Sequence, residues 1–415
     1  MNRPEPRGDS PRLAQERHPA VNARAPRSLR RWPILLAAPL ALAALAGCQK
    51  VATTQEEGAA SPGASSGSQA VAIAIADEGC RPEPASVPAG PVKFDVRNTD
   101  SQTVTEAELV SPEGRILGER ENLTPGLSGT FSLDLKAGTY SVYCPGAQQE
   151  TSTFKVTGGT AAAPSPTSGV TKQLANGVAG YRDYVQHETA QLVTATKAFT
   201  DAVRAGDVAQ AKELYGPART HYERIEPVAE SFGDLDPAID ARINDVANPS
   251  EWTGFHPLER ALWEKNSTAG LKPLADKLDA DVTKLDGLVQ DVSYQPADLA
   301  NGATSLLTEV SGSKISGEEE RYSHLDLLDI WANVDGAKRA FDLLSPALQR
   351  TDKDVVTTVN ARFTAVNQTL AKHRDGRSFQ SYSALSKDEV KLIANQVDAL
   401  AEPLSTVAEK VVSAK

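Results

Sequence analysis

The residues Gly158-Gly159-Thr160-Ala161-Ala162-Ala163-Pro164-Ser165-Pro166 separate two kinds of sequence. Small residues and two prolines offer no periodic apolar face, so 158–169 reads as a linker. Upstream, Val71-Ala72-Ile73-Ala74-Ile75, Val92-Lys93-Phe94-Asp95-Val96, Gly129-Thr130-Phe131-Ser132-Leu133, Thr139-Tyr140-Ser141-Val142-Tyr143 and Thr153-Phe154-Lys155-Val156 all have a period of two. Side chains on a strand point alternately to opposite faces, so 70–157 is expected to fold as a small β-sandwich. Downstream the spacing changes to three and four, as in Leu192, Thr196, Phe199 and Val203, or Leu328, Trp331 and Val334. Residues 170–415 are therefore expected to form an all-helical domain of seven or eight helices, packed as one or two bundles. Pro257 and Pro273 mark helix starts, and Ser386-Lys387-Asp388-Glu389 has the pattern of a capping box.

A chain of 415 residues, 40% hydrophobic and 23% charged, has ample material for packed domains. Its net charge of −11 is unevenly spread. The first 31 residues hold eight Arg against three acids, so the rest carries −16. Such a surface repels nucleic acid. Three cysteines, at 48, 80 and 144, are too few for cysteine-rich zinc or iron–sulfur sites.

The basic stretch ends at Arg30-Arg31, an uncharged apolar run follows from Trp32 to Ala46, and Leu45-Ala46-Gly47-Cys48 has the look of a lipobox. The run is shorter than the roughly 20 residues a spanning helix needs, and small residues before Cys48 suit a signal peptidase. Residues 1–47 are expected to be a signal peptide and Cys48 a lipidated N-terminus held in the lipid bilayer. On that reading 48–69, rich in Ala, Ser and Gly, is a flexible tether and the mature protein is extracytoplasmic.

In the β-region, Cys80, Pro88-Ala89-Gly90, Gly138-Thr139-Tyr140 and Cys144 resemble the cupredoxin-like fold, in which a late Cys follows a Gly-x-Tyr strand. A blue-copper centre needs two His and usually a Met beside the Cys. Neither residue type occurs between Val71 and Val156, which excludes that centre. Two readings of Cys80 and Cys144 stay open: a disulfide, as paired cysteines in an oxidising compartment usually form, or a thiolate/carboxylate metal site with acids such as Glu106 and Glu108.

The helical region concentrates acids among aromatics. Thr220-His221-Tyr222-Glu223-Arg224-Ile225-Glu226-Pro227-Val228-Ala229-Glu230-Ser231-Phe232 sets Glu223, Glu226 and Glu230 on one face if Pro227 only kinks the helix. Asp240 follows, and then Trp252-Thr253-Gly254-Phe255-His256-Pro257-Leu258-Glu259 supplies an H-x-x-E element, with His256 expected at a helix cap and Glu259 in the first turn. In Gly317-Glu318-Glu319-Glu320-Arg321-Tyr322-Ser323-His324-Leu325-Asp326-Leu327-Leu328-Asp329-Ile330-Trp331-Ala332-Asn333, a helical reading puts Glu320 and His324 on the side of Leu327 and Trp331. His324 reads as a hydrogen-bonded core histidine. His221 and His373 read as surface residues. Acids near packed surface call for a cation.

These strings, His-Tyr-Glu-Arg-Ile-Glu-Pro-Val-Ala-Glu-Ser-Phe, Gly-Phe-His-Pro-Leu-Glu and Arg-Tyr-Ser-His-Leu-Asp with Ala-Asn-Val-Asp-Gly-Ala, resemble the EfeO family, extracytoplasmic components of bacterial iron uptake that join a cupredoxin-like domain to an imelysin-like helical domain. The resemblance implies metal ligands at Glu223, Glu226, Asp240, His256 and Glu259, with Glu320 a further candidate. It also implies a second set at Cys80, Glu106 and Cys144. The position two before the second Cys, a Met in some relatives, is Val142 here. The expected cargo is iron, Fe2+ or Fe3+, in keeping with an oxygen-rich set carrying a single imidazole. Partners implied are a membrane iron permease and a peroxidase-like protein. No catalytic role is assigned. The competing reading is a metal-dependent peptidase of the imelysin-like class, which needs an open zinc position for water. A third reading is a cell-surface polysaccharide- or heme-binding module; the lack of Met ligands and the acidity around the histidines stand against heme.

Overall fold

The computed structural model describes residues 68–158 and 169–414. The segment 1–47, Cys48 with nearly all of its tether, and linker residues 159–168 lie outside the described residues.

Nine strands build the first module: β1 Gln69–Ile75, β2 Arg81–Glu83, β3 Ser86–Pro88, β4 Gly90–Asn98, β5 Ala107–Val110, β6 Ile116–Arg120, β7 Ser128–Leu135, β8 Gly138–Tyr143 and β9 Thr151–Thr157. One sheet has the order β2-β1-β4-β7 and the other β3-β9-β8-β5-β6. β1 and β4 run parallel with Val71 opposite Phe94, while β4 and β7 are antiparallel with Phe94 opposite Phe131. Alternation decides which faces meet: Val71, Ile73 and Ile75 are buried while Ala72 and Ala74 are exposed. Phe94 stacks on Phe131 at 4.8 Å within its sheet and meets Phe154 of the other sheet edge-on at 5.5 Å. A cupredoxin-like sandwich is thus closed by its own period-two residues.

Eleven α-helices follow among the described residues: α1 Gly169–Ala205, α2 Val208–Glu223, α3 Glu226–Glu230, α4 Leu235–Asp240, α5 Phe255–Trp263, α6 Lys272–Val289, α7 Pro296–Gly312, α8 Asp326–Thr351, α9 Lys353–Leu370, α10 Lys387–Ser405 and α11 Val407–Ser413. The sequence period supports only seven or eight. The excess lies in α3, α4 and α11, each of seven residues or fewer, too short to display a 3.6-residue repeat. The apolar residues spaced along α1 are buried, Leu192 and Phe199 completely, and α1 packs on α2, α6 and α8. Ser386 and Glu389 form the capping box of α10. Among the described residues no helix is long and apolar enough to cross a membrane.

The modules share a seam. Ala297 of α7 and Val412 of α11 enter the sandwich core. Asn301 Nδ2 donates to the Ser132 carbonyl at 2.9 Å, and the Ile116 amide donates to the Ser231 carbonyl at 3.1 Å. Arg115 faces Asp298 at 3.7 Å.

Two histidines expected at the surface are not there. His373 is buried and its Nδ1 lies 3.1 Å from Gln380 Nε2. His221 is three-quarters buried and its Nδ1 is 2.7 Å from Glu188 Oε2. A helical wheel drawn from one segment does not show the second helix that covers it.

Candidate metal centre

α2 carries Arg219 and Glu223 one turn apart, and α3 begins at Glu226 after a break at Arg224 and Ile225. Pro227 in the first turn of α3 has no amide to donate back to the Glu223 carbonyl, so the ladder of α2 is not continued and the chain turns instead of kinking. Glu223 and Glu226 therefore sit on two helices, not on one continuous face. α8 lies directly on this turn, since a Cβ on Gly336 would come 2.3 Å from the Arg224 carbonyl oxygen. Asn333 of α8 uses that proximity: its Nδ2 donates to Glu223 O at 2.8 Å, Glu223 Oε2 at 3.0 Å and Glu226 Oε2 at 3.3 Å.

Asp240 ends α4, and His256 is the second residue of α5. Gly254 precedes α5 at φ 93°, and a Cβ there would lie 2.1 Å from the Ile239 carbonyl oxygen. Only glycine permits that approach, and it brings His256 against Asp240. His256 is 2% exposed. Its Nδ1 lies 3.2 Å from Glu259 Oε2, while Nε2 lies 3.4 Å from Asp240 Oδ1 and 3.5 Å from Glu319 Oε1. Nε2 is buried without a hydrogen-bond partner. Glu259 is held on its other oxygen by the amides of Tyr322 at 2.8 Å and Ser323 at 2.7 Å.

The acidic run falls differently from its helical reading. α8 starts only at Asp326, and His324, half-buried, has a left-handed φ of 58°. Residues 318–325 form a turn in which Glu319 and Glu320 face apart. Glu319 points to His256. Glu320 accepts from Tyr215 Oη at 3.0 Å and Ser323 Oγ at 2.5 Å, and it pairs with Arg219 Nε at 3.0 Å.

Two buried cations run through these acids. Arg219 pairs with Glu223, Asp240, Glu319, Glu320 and Asp329. Lys314, wholly buried, pairs with Glu223 at 2.5 Å, Glu226 at 2.7 Å and Glu309 at 3.4 Å. Oxygens of Glu223, Glu226 and Asp240 lie within 4.8 Å of one another, as do donor atoms of Asp240, His256 and Glu319, so Asp240 joins two groups. Burial opposes charge on His256, but Glu259 on Nδ1 and the negative charge of Glu319 nearby outweigh it and push the ring up to about 10. Burial likewise opposes charge on Glu319, yet Lys314 and His256 hold this carboxyl well below its ordinary value. Burial and Glu309 raise Glu226.

In the β-module Cys80 and Cys144 are joined as a disulfide with Cα atoms 6.1 Å apart, so the two sulfurs are not thiolate ligands. Glu106 groups with Glu108 and Glu119 instead. Burial and then Glu106 push Glu108 up to about 8. At the seam Glu121 meets Glu230 and Glu309.

Both modules match known families. A family model for imelysin matches residues 177–407, and one for the cupredoxin-like domain matches 39–154. The iron uptake system component EfeO of Escherichia coli O1:K1 / APEC is 41% identical over 339 residues, covering 81% of this chain and 89% of that protein. Its counterparts in Escherichia coli K12 and Shigella flexneri are 40% identical over the same shares. This chain belongs to the EfeO family. These EfeO relatives are named as uptake components and not as enzymes, although the imelysin model is also labelled a peptidase family.

Of the residues the sequence singled out, the structure gathers Glu223, Glu226, Asp240, His256 and Glu259 in one polar core, and Glu320 at its far side against Tyr215. Sequence reasoning passed over Glu319, Arg219, Lys314 and Glu309, and placed Asn333 on a second side of its helix with Asp326 and Asp329. Arg219 lay one turn before Glu223, a signal for an ion pair. Lys314 had none, since lysine is ordinarily a surface residue.

Proposed function

We propose that this chain is the extracytoplasmic, lipid-anchored iron-binding component of a bacterial iron-uptake system. Held at the membrane through Cys48, it captures iron in the helical module and passes it to a membrane permease, with a peroxidase-like partner setting the oxidation state. The names of its EfeO relatives support the uptake role.

One observation carries the binding reading. His256 Nε2 is a buried ring nitrogen without a hydrogen-bond partner, with carboxylate oxygens of Asp240 and Glu319 within 3.5 Å and Nδ1 anchored by Glu259. A buried polar atom left unpaired costs roughly 1–3 kcal/mol, and a cation between these three side chains would remove that cost. Two carboxylates and one imidazole form a hard site suited to iron or manganese. Glu223 and Glu226 stand close enough to contribute once Lys314 gives way. Peptide hydrolysis fits less well, because the space beside His256, lined by Glu259, Glu319 and Tyr322, is only about 10 Å³. That is room for an ion or a water, not a peptide.

Anomalous scattering at the iron edge from crystals of the iron-loaded protein tests the assignment. A peak within coordination distance of His256 Nε2, Asp240 and Glu319 is expected. A peak only in the β-module, or none, overturns it.

A further inference from the structure

The carboxylate half of this core holds an ion of its own. Lys314 Nζ, with a fully buried side chain, sits between Glu223 Oε2 at 2.5 Å and Glu226 Oε2 at 2.7 Å and is 3.4 Å from Glu309 Oε1. Asn333 Nδ2 donates to the same two oxygens. An ammonium surrounded by three carboxylates is a cation in an oxygen cage, the place a hard metal ion takes. Asp240 links the two halves, since it groups with Glu223 and Glu226 and also with His256 and Glu319.

We infer that Lys314 is a resident ammonium that competes with the cargo ion for Glu223 and Glu226, and so sets how readily that ion is given up. The inference rests on the proposed iron site. Three features support exchange over a purely structural pair. First, Arg219 and Lys314 together meet seven carboxylates, so neither cation belongs to a single partner and the acids around Lys314 have other groups to hold them. Second, Lys314 lies on a three-residue 3-10 turn between α7 and the turn that carries Glu319. Only four residues separate Lys314 from Glu319, the acid facing His256, so displacement of one moves the support of the other. Third, the amide of Asn333 stays on Glu223 and Glu226 and keeps both oriented when Nζ withdraws.

An ion that must displace an ammonium binds less tightly than one entering an empty cage, and the returning ammonium hastens its release. That suits a carrier that delivers its cargo.

The test is titration of metal-stripped full-length protein with Mn2+, read by the electron paramagnetic resonance of the free ion, followed by removal with EDTA. Lys314→Met is expected to bind Mn2+ about tenfold more tightly than the parent or better, because ligand charge sets affinity at such sites, and to surrender it to EDTA more slowly. Equal or weaker binding by a Lys314→Met protein with the parent's circular dichroism overturns the inference. Should Lys314→Met not fold alone, Lys314→Gln, which keeps a polar but uncharged group at this position, is titrated in its place. If neither folds even with Mn2+ present, a divalent cation does not replace the ammonium and the inference is wrong. Failure of the iron reading looks different: the parent binds neither Mn2+ nor Fe2+ and His256→Ala changes nothing, while a Lys314→Met protein that gains a Mn2+ still supports the resident ammonium.

Discussion

Glu259 Oε2 lies 3.2 Å from His256 Nδ1, and the other Glu259 oxygen is occupied by two backbone amides. The two members of the H-x-x-E element are therefore unequal. Glu259 anchors the ring through Nδ1, and His256 Nε2 is the atom that faces Asp240 and Glu319. This is the arrangement in which a carboxylate behind a metal-binding histidine sets ring orientation and basicity.

Different losses are expected on changing the two. His256→Ala removes the donor and abolishes cation binding. Glu259→Gln keeps the shape but weakens the anchor, and is expected to lower affinity by about 10–100-fold. Isothermal titration of both variants, with circular dichroism to confirm retained helix, checks the ranking. Equal losses would place Glu259 among the direct ligands.

Binding is expected to expel a proton. With the ring of His256 pushed up to about 10, it is charged in the metal-free protein at neutral pH. A cation at Nε2 requires the unprotonated nitrogen, so affinity rises with pH, about tenfold per unit for each proton released, and levels off near the ring's pKa. Calorimetry in buffers of differing ionisation enthalpy counts the protons. The same raised pKa stabilises the metal-free fold fully below the ring's unfolded value of 6.5, and the gain is lost as pH rises through about 10.

The disulfide is expected to support the β-module without touching the helical site. It closes a span of 64 residues, for which the chain-entropy model gives about 4 kcal/mol. Cys80→Ser with Cys144→Ser is expected to lower the urea midpoint by a corresponding amount and leave cation stoichiometry unchanged. Loss of binding in the double variant would instead tie the thiols to the site.

Sequence periodicity shows the two modules because their apolar residues repeat over whole strands and long helices. It fails where structure is short. Nothing in Gly317-Glu318-Glu319-Glu320 distinguishes its acids, and taking Glu320 and His324 as neighbours on a helix assumed a regular backbone. The left-handed φ of His324 breaks that assumption and turns Glu319, not Glu320, toward His256. Lys314 was illegible for another reason. Its burial follows from carboxylates on three other stretches of chain, a tertiary effect that local composition does not carry. Gly254, by contrast, stood inside the quoted motif, and its role appears only with the Ile239 carbonyl in place.

Gly254→Ala is expected to damage stability and binding together. A side chain at φ 93°, ψ −156°, a region essentially reserved for glycine, costs about 1–3 kcal/mol, and its Cβ, 2.1 Å from the Ile239 oxygen, forces α4 away from α5. That shift separates Asp240 from His256. Urea unfolding and cation titration of one preparation check it, and a change in stability with unaltered affinity would show that α4 relaxes without moving Asp240.

The choice between the adjacent acids can be made by two isosteric changes. Glu319 faces His256 Nε2 at 3.5 Å and also takes Arg242 at 3.2 Å. Lys314 and His256 keep it ionised against the pull of burial, so it presents a permanent charge to any ion in the site. Glu320 is the opposite case. Burial and then Glu259 push it up to about 8 despite Arg219, so it is largely uncharged at neutral pH. Glutamine copies the shape of both and the charge state of Glu320 alone. Glu319→Gln is therefore expected to weaken cation binding about tenfold or more, whereas Glu320→Gln, which keeps an acceptor for Tyr215 and Ser323, should bind within about threefold of the parent, under 1 kcal/mol. Parallel titrations at pH 7 decide the matter: if Glu320→Gln loses binding and Glu319→Gln retains it, the cation sits on the Tyr215 side of Arg219 and the site built around His256 is misplaced.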